Sequence, residues 1–134
     1  MNDDLQFINV YSALIAAVPE LYPLVAAKLN KYYDLANEAP AEYPVFEDVV
    51  KPLVRKCLEN TADRQLAIRL FQFLERMATS SDSGVVTLLR IAILEWLAFD
   101  AASYDAAQKY MGPTTAEYVK LDRRDFQRRG ILPA

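Results

Sequence analysis

Apolar residues recur along this chain at the spacing of a helix. Phe7, Val10, Tyr11, Leu14, Ile15 and Val18 share one side of a 3.6-residue wheel, and Gln6, Asn9, Ala13 and Ala16 face away. That pattern predicts a first helix over 5–18, with Asp3 and Asp4 placed to cap it. Pro19 or Pro23 suits the first turn of a second helix, which carries Leu21, Tyr22, Val25, Leu29, Tyr32 and Tyr33 on one side and ends near residue 35. The proline-bearing stretch 37–44 reads as the clearest loop. A third helix follows over 44–59, with Val45, Phe46, Val49, Val50, Leu53, Val54 and Cys57 inward. Pro52 falls on its wet side, where it should bend the helix around the core.

Asp63 caps a fourth helix to about Thr79, with Leu66, Leu70, Phe73, Leu74 and Met77 inward. The fifth, over 83–99, is apolar nearly all round, which predicts a central position. A short sixth helix spans 102–111, and Thr114 to Glu117 reads as a capping box opening a seventh that Gly130 ends. No stretch alternates with period two for long enough to be a strand. The fold class is therefore all-α, with six to seven helices in one domain over 1–134 and a basic end, 120–134, expected to fray. Phe73-Leu-Glu75-Arg-Met-Ala78 is echoed by Ile93-Leu-Glu95-Trp-Leu-Ala98, so the packing is either a compact antiparallel bundle or a short stack of HEAT- or armadillo-like hairpins.

Composition narrows the chemistry. The 134 residues hold no histidine, one cysteine and three glycines. Histidine-dependent triads, thiol pairs and glycine-rich phosphate loops cannot be written with this alphabet, and no metal or cofactor is expected. Cys57 lies on an apolar arc, as inert buried thiols do. A lone cysteine, an acidic N-terminus and the absence of a 20-residue apolar run point to the cytoplasm and away from a membrane.

Two carboxylates stand out. Glu95 lies on the wheel between Leu88 and Ile91, and Glu75 sits at the edge of its arc between Ile68 and Phe71. Both are expected as buried structural carboxylates, satisfied by an arginine, a tyrosine hydroxyl or backbone N–H groups of a neighbouring helix, because an unpaired buried charge costs several kcal/mol. A paired-carboxylate enzyme using Glu75 and Glu95 is the competing reading.

Charge is unevenly spread. Residues 1–63 carry ten acids against five bases, and Asp34, Glu38, Glu42, Glu47 and Asp48 follow one another from 32 to 50 with no base between. Tyr43 stands among them as a candidate interface anchor. Lys120, Arg123, Arg124, Arg128 and Arg129 make the opposite end basic. A net charge of −3 and the lack of aromatics interleaved with those bases argue against nucleic acid.

Phe46-Glu-Asp-Val-Val-Lys-Pro, Leu74-Glu-Arg-Met, Ser81-Asp82 before Val85-Val86-Thr-Leu-Leu, Ile93-Leu-Glu95 and Met111-Gly-Pro-Thr114 resemble a group of small bacterial helical proteins of the immunity type. The likeness covers roughly 44–120. Such proteins protect the producing cell from polymorphic toxins, so the resemblance implies a non-enzymatic inhibitor that occludes a cognate toxin, basic in charge, with a nuclease among the candidates. Asp34, Glu38, Glu42, Tyr43, Glu47 and Asp48 would form its docking surface. A helical-repeat adaptor binding a peptide or a helix is the alternative binding class. The sequence leaves the oligomeric state open.

Overall fold

The structure, a computed structural model, describes residues 4–34, 41–60 and 63–133, without the side chains of Tyr33 and Asp34. Among the described residues there are seven helices and no strand. A 3-10 turn at Phe7–Asn9 runs into Val10–Ala17 to make α1, and another at Pro19–Leu21 runs into Tyr22–Asp34 to make α2. The two meet at 106°. Pro19 stands at the first position of the new helix, where its missing N–H leaves nothing unpaired.

Helix α3 (42–59) is continuous but not uniform. Glu42–Val45 and Lys51–Glu59 are α-helical, and Phe46–Val50 between them is a π segment closed by a bond from the Lys51 N–H to the Phe46 carbonyl. Pro52 supplies the cause: it has no N–H to offer the Asp48 carbonyl, so the turn before it widens. The proline itself lies exposed, on the wet side as its wheel position requires.

Helix α4 (Arg64–Ala78) begins where Asp63 accepts from the Leu66 N–H at 3.0 Å. Helix α5 (83–99) comprises Ser83–Leu89, a π segment Arg90–Leu94 and Glu95–Phe99. Helix α6 is Ala101–Ala107, and α7 is Pro113–Arg128. Phe46 of α3, Leu70, Phe71, Phe73 and Met77 of α4, and Leu88, Leu89 and Ile93 of α5 are sealed from water and form the centre of the core. At about 1.5–3 kcal/mol for each fully buried aliphatic or aromatic side chain, these central positions dominate the stability of the fold.

The N-terminal segment is tied down by side chains instead of by burial alone. Asp4 accepts from the Ser81 N–H at 2.8 Å and from the Ser81 hydroxyl, and Ser80 donates to the Leu5 carbonyl. Asp82 bridges two elements: Oδ1 caps α5 at the Gly84 N–H (2.9 Å), and Oδ2 accepts from the Phe7 N–H (2.8 Å). Asp4 therefore serves the α4–α5 connection, not the helix that follows it. Helix α7 holds to Arg128, and Gly130 takes a left-handed φ of 76°. Gly130 then donates to Gln127 (3.1 Å) and Ile131 to Phe126 (2.8 Å), satisfying the last carbonyls.

Candidate functional site

The acidic stretch singled out in the sequence maps onto the first half of α3. Glu38 and the Asp34 side chain lie outside the described residues. Glu42 and Glu47 are half-buried and take part in no ion pair among the described residues. Asp48 reaches outward and meets Lys28 of α2 at 2.7 Å, the acid 56% and the lysine 27% exposed. Tyr43 is not an exposed loop residue. The helix begins at Glu42, earlier than the Pro44 start the sequence suggested, so Tyr43 lies in its first turn and packs half-buried against the core.

Beside these acids runs a groove of about 460 Å³ between α2 and α3. Leu24, Ala27, Val49 and Leu53 give it an apolar lining. Along its α3 wall stand Asp48, Pro52 and Lys56, and along its α2 wall Lys28 and Lys31. Leu24 remains 55% exposed. Sequence reading took the acids and missed the lysines opposite them. A second apolar groove of similar volume, about 460 Å³, lies on the other flank of α2 between Tyr11 and Tyr22. It carries no charged residue.

The two glutamates of the internal echo have different fates. Glu75 extends from α4 to the start of α7, where its carboxylate accepts from the Thr114 N–H (3.1 Å), the Thr115 N–H (2.8 Å) and the Thr115 hydroxyl (2.8 Å). It thus caps α7 from another helix, in place of the Thr114–Glu117 capping box. Partial burial pushes the Glu75 carboxyl up, but the donated hydrogen bonds outweigh it and hold the group below its ordinary value.

Glu95 is a correction. It is exposed, not buried. The wheel that placed it beside Leu88 assumed an unbroken 3.6-residue repeat. The π segment Arg90–Leu94 adds a residue to the turn, with the Glu95 N–H bonded to the Arg90 carbonyl. That rotation carries Glu95 onto an outward stripe with Thr87, Ile91 and Phe99, so α5 has a wet face after all. The structure does not bring Glu75 and Glu95 into one cleft, and neither lines any of the grooves described here.

Other candidate chemistry is occupied by packing. Burial pushes the Cys57 thiol up, away from the reactive thiolate. Arg123 donates to the Ala98 carbonyl (2.9 Å) with its guanidinium 4.1 Å from the Tyr104 ring centre, and Arg128 and Arg129 both turn to Asp125 (3.0 and 3.3 Å). The basic end therefore presents Lys120 and Arg124 as its unpaired charges among the described residues. No group of three or more acids or thiols among those residues is arranged to hold a metal ion.

The family model described as Domain of unknown function (DUF7674) matches residues 11–127, from α1 to the last turn of α7. The chain belongs to this family. No curated protein and no solved structure matches it. The DUF7674 match takes in the whole of α3, the groove beside it and the Glu75 cap on α7. No single helix among the described residues is long and apolar enough to cross a membrane.

Proposed function

We propose that this protein is a non-enzymatic binding module of the immunity type, acting in the cytoplasm by covering the working surface of a basic bacterial toxin. The observation that carries the reading is the first half of α3, where the half-buried Glu42 and Glu47 have no ion-pair partner among the described residues and Asp48 is exposed. Unpaired acids held on a rigid helix need no backbone reordering on docking, and they attract a cationic partner over a Debye length of about 8–10 Å. The resemblance of segments 44–120 to immunity proteins supports the same reading. So does the fate of the two echo glutamates: one is engaged as a helix cap and the other faces solvent.

Co-expression tests it. The open reading frame beside this gene is cloned and induced with and without the full chain. A toxic neighbour whose lethality is relieved by the wild-type chain, and not by a Glu42→Lys/Glu47→Lys variant, supports the proposal. A neighbour that is harmless, or rescue that survives both charge reversals, overturns it.

A further inference from the structure

The α2–α3 groove has a symmetry of its own. Asp48, Pro52 and Lys56 stand at four-residue intervals along the α3 wall, so an exposed proline sits midway between opposite charges. At a rise of 1.5 Å per residue each charge lies about 6 Å along the helix from that midpoint. A two-fold axis passing through Pro52 lays α3 antiparallel on a second α3, and both Asp48 side chains then meet the partner's Lys56 at once. Such a surface is complementary to itself, which is the requirement of an isologous interface.

We infer that this groove is occupied by the same groove of a second copy of the chain, in a two-fold dimer. The charges on the α2 wall fit the same operation. Lys28 already holds its own Asp48. Lys31 lies near the end of α2 that leads into α3, so the rotation carries it toward the far end of the second α3, where Glu59 is exposed. Acids in the first half of α3 and bases in the second also suit the helix dipole. The dipole, however, gives no reason for Leu24 to stand 55% exposed beside them. Pairing of two grooves covers that side chain and joins Ala27, Val49 and Leu53 of both copies into one apolar strip.

The inference does not rest on the toxin reading, although Asp48 belongs to both surfaces and the two complexes would compete for it. Sedimentation of the full chain at low salt, on the order of 10–100 µM, tests it. The wild type sediments as a dimer of the 15.2 kDa chain. Asp48→Lys alone places lysine against lysine, and Lys56→Asp alone places acid against acid, so each weakens self-association by about tenfold or more. Mixing the two variants restores the dimer, because both cross-axis pairs are then opposite in sign. The double variant Asp48→Lys/Lys56→Asp dimerises by itself for the same reason. A wild type that remains monomeric overturns the inference and leaves the groove to a different occupant. Single variants that still dimerise, or a mixture that fails to recover, place any dimer contact elsewhere and overturn it equally.

Discussion

The Glu75 carboxylate and the Thr115 backbone are joined across 40 positions of sequence, with Oε1 2.8 Å from both the amide nitrogen and the hydroxyl of Thr115. This contact supplies from α4 the capping group that α7 does not carry itself. Gly112 stands at the N-cap position, and a glycine has no side-chain acceptor. Replacing a capping acceptor by alanine costs about 0.5–2 kcal/mol. Glu75→Ala is expected to lower the melting temperature by roughly 2–8 °C at a few degrees per kcal/mol for a chain of this size. Circular dichroism melts check it, and an unchanged midpoint would count against the cap.

Gly112 is required for the same contact. A Cβ at this position would come within 2.5 Å of Glu75 Cδ and 2.6 Å of Cγ and Oε1. The backbone there, φ −71° and ψ 170°, is open to any residue, so the penalty is steric alone. Gly112→Ala should destabilise by about 1–3 kcal/mol, as overpacking does. In a Glu75→Ala background the same change should be nearly neutral. Additive costs in that double-mutant cycle would show the two positions to be uncoupled.

Glu95 separates the helical-wheel reading from the structure most cleanly. An exposed glutamate with no partner in the core should tolerate Glu95→Ala within about 0.5 kcal/mol. A buried structural carboxylate would cost several times more. Urea unfolding of the single variant decides between them.

What the sequence made legible was whatever obeys a local rule. The inward positions of α1, α3 and α4 follow the 3.6-residue repeat, Asp63 announces α4, and Gly130 announces the end of α7. Two kinds of information were hidden. Register changes inside a helix leave little mark: Pro52 explains the wide turn at Phe46–Val50, but nothing comparable flags Arg90–Leu94, and that is why Glu95 was misplaced. Contacts between distant segments are also invisible to periodicity. The Glu75 cap, the Asp82 bridge to Phe7 and the pairing of Lys28 with Asp48 each needed the packed helices. The acidic stretch was readable as a run of charge, but the lysines across the groove were not, because α2 and α3 meet only in three dimensions.

Acid should loosen the fold through carboxylates held below their ordinary values, Glu20 and Glu75 among them. Hydrogen bonding by Arg69 draws Glu20 down to about 2 from 4.5, and the hydrogen bonds from Thr114 and Thr115 hold Glu75 below the same ordinary value against the upward push of burial. A group whose folded value is depressed stabilises the fold above its unfolded value and loses that contribution as pH falls through the folded one. Stability should therefore decline as pH drops below about 4.5, with the Glu20 share lost toward pH 2. Because Glu20 lies at the surface, solvent screens its share. Urea midpoints measured at successive pH values should fall less steeply in Glu75→Gln than in the wild type. Identical slopes would contradict the assignment.

The central claim is that charges on the outer face of α3 perform the work of binding. Its most direct test is the association rate of the full chain with the toxin domain identified by co-expression, followed by stopped flow as salt is raised. Electrostatic steering predicts a rate that falls by about tenfold or more between low and high ionic strength, and a Glu42→Lys/Glu47→Lys variant that is slow at every salt concentration. A rate indifferent both to salt and to those two reversals would contradict the account.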